Sequence, residues 1–483
     1  MTRAIMIQGA GSNVGKSMLV AGIARALRKR GFKVAPFKPQ NMSNNAAVTS
    51  NGGEIGRAQA LQARACGLAP HTDMNPVLLK PESDVGAQVV VHGKRMATVK
   101  ARDYGKMKST LMPAVLESFQ RLAKNVDIII IEGAGSPAEI NLRAGDIANM
   151  GFAEAAGVPV VLIGDIDRGG VIAQLVGTHA VLPAEDHNRI KAFAVNKFRG
   201  DVSLFKDGAK AIADMTRWDD LGTIPWFADA HRLPAEDIMD IASSGNGHIK
   251  IVVPRLSRIA NFDDLDPLAS EPNVTIEIVE AGRPLPADAD LILLPGTKST
   301  IGDLAYLRAQ GWDIDILGHV RRGGHVLGIC GGYQMLGAWI DDPNGIEGAK
   351  SRVAGLGLLD VNTVMTDNKR LAEVTATDIA TGTSISAYEI HIGRTSGKDC
   401  DHAWLQIEDR FEGAQSPSGR IKGCYLHGLF ASDAFRHSYL TPFGLDAPQD
   451  NFDASIEETL DALAQHMETH VDIDRLIALA GQV

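Results

Sequence analysis

The chain has 483 residues, 45% of them hydrophobic and 22% charged, which excludes wholesale disorder. At roughly 100–200 residues per domain, that length fits about two to four domains. Asp plus Glu number 58 against 48 for Lys plus Arg, a formal net charge of −10, so no basic field marks a general nucleic-acid binder.

Short apolar runs alternate with helix-length amphipathic stretches. Residues 4–7 read as a first strand, followed by a Gly-rich loop. Residues 17–30 read as a helix, with Leu19, Ile23 and Leu27 on one face, basic residues near its end and Gly31 as its stop. Further strands are expected at 34–37, 127–131, 158–163 and 192–195; the second of these runs holds four isoleucines at 128–131, short enough for a buried parallel strand. Such alternation implies an α/β fold with a doubly wound parallel sheet. Residues 242–248 are small, polar and Gly-rich and make the best linker. Alternation restarts at 249–253, 274–279, 291–294 and 325–329. Beyond about residue 440, Ile456, Leu460, Leu463 and Met467 stand at helical spacing and predict a packing helix. The expected domains are therefore 1–241, 249–440 and a helical tail at 441–483. No internal repeat is present.

Gly9, Gly11, Asn13, Gly15, Lys16 and Ser17 fall between the first strand and the first helix. A phosphate-binding loop needs that setting, because backbone N–H groups and a helix N-terminus cradle the phosphates. The Lys reaches the outer phosphates and the Ser hydroxyl can hold Mg²⁺. The strict G-x-x-x-x-G-K-[ST] pattern fails at Ala10, with the leading glycine one place earlier. The glycines at 9, 11 and 15 do not fit a dinucleotide-binding G-x-G-x-x-G. Glu132 ends the isoleucine strand, where this fold class places its ligands, and is the candidate partner of Ser17 for Mg²⁺; the alternative is a turn acid. Asp165 and Asp167, in Asp165-Ile-Asp167-Arg168, stand where an acid and a base would flank a transferred phosphate, with a structural Asp–Arg pair as the alternative. Asn196 follows another strand, where it could read an adenine edge. Lys38 opens Lys38-Pro-Gln-Asn-Met-Ser-Asn44, a cation with amide donors suited to an anionic carboxylate, or else a solvated polar loop.

Gly328-Ile-Cys330-Gly331-Gly332 follows an apolar strand and has the spacing of a nucleophile elbow with cysteine in place of serine. The glycines allow the sharp turn, the helix N-terminus favours the thiolate, and the Gly331 N–H can stabilise an oxyanion. A second N–H would come from Gly296, in another strand-end turn. His427, about a hundred residues downstream, is the candidate base. An inert buried cysteine and a core histidine are the competing readings. Cys66, Cys400 and Cys424 lack such a context and are expected to be structural. Four cysteines without C-x-x-C spacing make neither a disulfide framework nor a zinc site, and a cytoplasmic setting fits best. No apolar run approaches the roughly 18–20 residues that span a bilayer. The opening residues lack a signal-peptide core.

Longer strings are more specific. Gly328-Ile-Cys-Gly-Gly-Tyr-Gln-Met-Leu-Gly337, Tyr388-Glu-Ile-His-Ile-Gly393 and Tyr425-Leu-His-Gly-Leu-Phe430 resemble the hallmarks of the glutamine-dependent cobyrinate amidotransferase family. The resemblance covers essentially the whole chain. It implies an N-terminal phosphate-loop domain of the dethiobiotin synthetase type and a C-terminal class I glutamine amidotransferase domain. Lys38 to Asn45 and Asp165 to Gly170 point to the branch of cobalamin biosynthesis that amidates adenosylcobyrinic a,c-diamide. The resemblance thereby implies ATP, Mg²⁺, glutamine as ammonia donor, Gln334 as a glutamine-binding residue and a corrinoid acceptor. A membrane span and a nucleic-acid partner are not expected; a homo-oligomer is compatible with the chain.

Many enzymes with this domain carry His-x-Glu, whereas here His427-Gly428-Leu429 has no acid. Either a Cys330–His427 dyad suffices or another acid, such as Glu389, serves. The nearest rival is the family branch that makes the a,c-diamide itself. A rival of another class is a non-enzymatic ATP switch of the partitioning type, which normally carries an extra loop Lys where Ala10 stands and has no use for Cys330. Glu389-x-His391-x-Gly393 does not match a cobalamin-ligating loop.

Overall fold

The computed structural model describes residues 1–81, 86–234, 243–446 and 451–483. The chain divides into two compact units: Met1–Ser43 with Thr49–Pro234 and Ile456–Val483, and Asn44–Val48 with the described residues of 235–455.

In the first unit, strands apolar on both faces collect into one parallel sheet, as full burial demands. Its order is Asp219–Pro225, Ile190–Phe198, Val160–Asp165, Arg3–Gly9, Ile128–Glu132, Val34–Phe37, every neighbouring pair parallel. Strand Ile128–Glu132 is buried along its whole length. Because the first strand in sequence lies inside the sheet, the chain winds outward from it in both directions. Its carboxyl end is the kind of switch point where such sheets bind ligands. The helix Lys16–Lys29 starts there and buries Leu19, Ile23 and Leu27, while Arg28 and Lys29 complement the dipole of its last turn.

The second unit has its own parallel sheet, in the order Val274–Val279, Ile249–Pro254, Leu291–Leu294, His325–Ile329, Ile421–Cys424, edged by the antiparallel Ala414–Gln415. A five-stranded antiparallel sheet accompanies it: Arg410–Glu412, Leu405–Ile407, Arg370–Asp378, Ser384–His391 and Leu426–His427. The two α/β units are the fold class read from the alternation, and the strands Val34–Phe37, Val274–Val279, Leu291–Leu294 and His325–Ile329 have the expected ends. The antiparallel sheet had no counterpart in the sequence reading. One of its long strands, Arg370–Asp378, buries only Ala376 and Asp378, whereas Ser384–His391 alternates more plainly. The expected linker 242–248 begins at residue 242, outside the described residues; within its remainder Ser244 bridges antiparallel to Ile276.

The C-terminal helix Phe452–His470 buries Ile456, Leu460, Leu463 and Met467. It can lie close to Lys16–Lys29 because Gly22 has no side chain: a Cβ there would come within 2.8 Å of Met467 and 2.9 Å of Leu463. Arg25 bonds Glu457 and Asp461 along the same contact, each at 2.7 Å. The chain then adds Gly481–Gln482 antiparallel to Arg3 and Ala4. Among the described residues no helix is long and apolar enough to cross a membrane.

Leu460 is fully buried in this contact. Leu460→Ala is expected to destabilise the protein by about 2–5 kcal/mol, measured by denaturant unfolding; an unchanged midpoint would show that the C-terminal helix contributes nothing to the first unit's core.

Candidate active sites

The loop 9–17 is shaped by close backbone approach. Gly15 caps the helix with φ 90°, and a Cβ there would strike the Asn196 amide at 2.6 Å. A Cβ at Gly9 would meet Val14, the Gly11 carbonyl and Lys16 Nζ, all within 2.9 Å. The Asn196 amide donates to the Val14 carbonyl at 2.8 Å, so this residue holds the loop from a strand two places along the sheet. Asn13 also takes a positive φ, and Lys197 donates to its carbonyl. Lys16 Nζ lies 3.4 Å from the carbonyls of Gly11 and Gly135.

Glu132 is the centre of this site. Its carboxylate accepts from Ser17 Oγ at 2.8 Å, Lys38 Nζ at 2.7 Å, and the amides of Gln62 at 2.6 Å and Gln59 at 3.3 Å. Burial pushes its pKa up, but the Lys38 ammonium and these donors outweigh burial and hold it below the ordinary value. Lys38 is therefore a buried counter-ion of Glu132, with 6% of its side chain exposed, not part of a solvated loop. Gln59 and Gln62 were missed in the sequence. Their signal was available: two glutamines three apart on a short helix, Arg57–Cys66, whose other buried residues are mostly alanines.

Asp165 ends the strand Val160–Asp165, and Asp167 lies two residues beyond it. Asp165 pairs with Lys197 at 3.0 Å and accepts the Asp167 N–H at 2.9 Å. Asp167 pairs with Arg199 at 2.6 Å, not with the adjacent Arg168. Among the described residues, no cluster of three His, Cys, Asp or Glu side chains can hold a metal ion. Ser17 and Glu132, 2.8 Å apart, are nonetheless hard oxygen donors of the kind a magnesium ion takes.

In the second unit, Cys330 follows strand His325–Ile329 at φ 52°, ψ −108°, an unusual conformation for a residue with a side chain. The turn closes because its neighbours are glycines. A Cβ at Gly332 would lie 2.0 Å from the Leu294 carbonyl, and one at Gly331 would lie 3.2 Å from the Thr297 nitrogen. The Leu294–Thr297 turn, which contains Gly296, thus lies against the start of the helix Gly331–Leu336. The Cys330 thiol points to the Ile390 carbonyl at 3.7 Å. Gln334 is fully engaged: it accepts from Thr300 at 2.7 Å and donates to the Ile392 carbonyl at 2.9 Å and to Tyr425 at 3.2 Å.

His427 is buried beside Cys330, and its orienting acid is Asp264. Nδ1 donates to Asp264 Oδ2 at 2.7 Å, and the Gly428 N–H donates to Oδ1 at 2.6 Å. Tyr388 stacks on the imidazole, with centroids 5.2 Å apart and planes 17° apart, and its hydroxyl donates to Asp263 at 3.2 Å. Nε2 is buried without another well-aligned partner. Burial would lower the pKa of His427, but Asp264 and then the Cys330 thiol outweigh it and raise the value to about 10. Glu389 is not this acid. It is buried between Arg370 at 2.5 Å and Arg410 at 2.6 Å. Burial would raise its pKa, but His391 and the two guanidinium groups hold it near 2. Asp264 was illegible in sequence because it lies 163 residues before His427, in a turn with no motif. His391 stacks on Tyr425 at 3.8 Å. Cys66, Cys400 and Cys424 are free thiols, and burial pushes Cys66 up to about 12.

Comparison with known proteins covers both units. A family model described as a CobQ/CobB/MinD/ParA nucleotide binding domain matches residues 5–241. One described as a CobB/CobQ-like glutamine amidotransferase domain matches residues 250–435. The curated "Cobyric acid synthase" of a Ruegeria species is 67% identical over 478 residues, 99% of each chain. Proteins of the same name from Rhodobacter capsulatus, at 64%, and Bradyrhizobium diazoefficiens, at 60%, cover 99% of this chain and at least 99% of their own.

Asp264→Asn removes the charge that holds His427 protonated. The imidazole pKa is expected to fall from about 10 toward its ordinary value, as followed by NMR titration. The sign for stability follows: a raised folded-state pKa stabilises fully below about pH 6.5, and that contribution is lost as pH rises through about 10. The variant should therefore lose stability mainly below that range. An unchanged titration would show that Asp264 is not the partner that raises it.

Proposed function

The chain belongs to the cobyric acid synthase family of glutamine amidotransferases, and from that premise we propose how its residues divide the work. The reaction is the ATP- and glutamine-dependent amidation of peripheral carboxylates of adenosylcobyrinic a,c-diamide to give cobyric acid. The observation that carries this reading is the presence in one chain of a phosphate loop over a buried Lys38–Glu132 pair and of a Cys330–His427–Asp264 array.

A carboxylate is a poor acyl donor, because oxide would have to leave. Transfer of the γ-phosphoryl group of ATP to a carboxylate oxygen gives an acyl phosphate and ADP. Gly11, Asn13, Gly15 and Lys16 cradle the phosphates, while Asn196 braces the loop. Ser17 and Glu132 would hold magnesium, which supplies charge neutralisation at the phosphates. Lys38 and the Asp165–Asp167 strand end face the acceptor and the transferred group.

The nitrogen comes from glutamine. The Cys330 thiolate, its proton held on His427, attacks the side-chain amide carbon, and the oxyanion takes the N–H groups of Gly331 and Gly296. His427, held by Asp264, gives its proton to the departing nitrogen, and ammonia leaves a thioester. Water, deprotonated by His427, then releases glutamate. Gln334 holds the glutamine pocket in shape through the Ile392 carbonyl. Ammonia attacks the acyl carbon and phosphate departs, completing the amide. These chemistries suit a cytoplasmic enzyme with ATP and glutamine at hand.

Cys330→Ala is expected to abolish amidation from glutamine and to spare amidation from ammonium salt, both assayed by corrinoid product formation. Lys16→Ala should remove both activities. Full glutamine-dependent turnover in the first variant, or survival of either activity in the second, would refute the corresponding assignment.

A further inference from the structure

Asp264 does not stand alone. It belongs to the turn Phe262–Leu265, preceded by Asn261 at φ 51°, ψ 47°. Asparagine tolerates this left-handed conformation better than most residues. The two acids of the turn grip one imidazole from different sides. Asp264 holds its edge, and Asp263 holds Tyr388, which covers its face.

The turn is itself tied down. The Asn261 side chain, 5% exposed, accepts the Ala46 N–H at 3.2 Å. Ala46 opens the short strand Ala46–Val48, which is grouped with the second unit and lies against Arg370–Asp378. Arg370–Asp378 pairs with Ser384–His391, which carries Tyr388 and pairs in turn with Leu426–His427. The segment Asn44–Val48 therefore reaches His427 by two physical routes, through Asn261 and through the antiparallel sheet. In the chain it directly continues residues 38–43. There Lys38 holds Glu132, and Asn41 donates to Gln59, another Glu132 partner, at 2.8 Å.

We propose that Asn261 is a positioning residue for glutamine hydrolysis, tying the turn that orients His427 to the segment that continues the Lys38 loop. The proposal rests on the amidation reading above. Its physical content is a coupling free energy: nucleotide and acceptor acting on residues 38–43 bias residues 44–48, and Asn261 passes that bias to Asp264. The chemistry needs such a link. Ammonia made before an acyl phosphate exists is protonated and lost, so hydrolysis should wait for the acceptor.

Asn261→Gly tests this in the full chain, because glycine keeps the left-handed backbone and removes the side chain that carries the acceptor oxygen. Glutamate and amide are counted together with glutamine, MgATP and adenosylcobyrinic a,c-diamide present or withheld. In the wild type, glutamate release should be stimulated by MgATP plus acceptor, with one glutamate formed per amide. In the variant, loss of one hydrogen bond should cut the stimulation about fivefold, and glutamate should exceed amide, while amidation from ammonium stays unchanged. Ala46→Pro removes the donor instead and should give the same uncoupling. It serves as the readout if Asn261→Gly fails to fold by thermal melting. Wild-type stimulation and stoichiometry in the folded variants would overturn the proposal, as would a wild type that shows no stimulation. Failure of the wild type to form amide from either nitrogen source would instead refute the amidation reading. The ratio of stimulated to basal glutamate release still decides the tie in that case.

Discussion

A buried carboxylate must be matched by a buried cation or by several donors, and both halves of this protein are organised around that constraint. An ionised carboxylate left unpaired in a protein interior costs several kcal/mol. Glu132, 1% exposed, meets the requirement with Lys38, Ser17, Gln59 and Gln62. Asp264, 3% exposed, meets it with the His427 ring and the Gly428 N–H. Each acid draws side chains from distant parts of the sequence to one place. Each also leaves a cation poised: an ammonium beside the phosphate loop, an imidazolium beside the Cys330 sulfur.

The second constraint is backbone space. Phosphate and oxyanion sites bind through N–H groups, so the backbone must come close to its ligand and to itself. Gly9 and Gly15 make room in the first unit, Gly331 and Gly332 in the second. At Cys330 the turn is not relieved by glycine, because the residue there carries a thiol side chain. The residue keeps φ 52° and the neighbouring glycines absorb the crowding. The stacked Tyr388 and the fully engaged Gln334 then fix the neighbouring groups, so little reorganisation remains for the reaction itself.

The legible features share a physical property: their signal is local. A strand buried on both faces reads as an unbroken apolar run, so Val34–Phe37 and Ile128–Glu132 announce themselves. Gly15-Lys16-Ser17 and Gly328 to Gly332 carry their chemistry within a few residues. The C-terminal periodicity at Ile456, Leu460, Leu463 and Met467 likewise marks a buried face, although it says nothing of which helix that face meets. The antiparallel sheet was hidden because Arg370–Asp378 is mostly half-buried or exposed and three of its strands are only two or three residues long, too short for a period to show.

Sequence alone therefore determined the two α/β units, the phosphate loop, the thiol elbow and, through long shared strings, the kind of reaction. Those follow from hydrophobic period, glycine placement and residue chemistry along a short stretch of chain. Tertiary structure decided the partners. It paired Glu132 with Lys38 across 94 residues and gave Asp264, not Glu389, to His427. It also returned the helix Phe452–His470 to Gly22 near the chain's start. Such choices depend on which side chains meet when sheets and helices pack, and a linear pattern carries no record of distances across the fold.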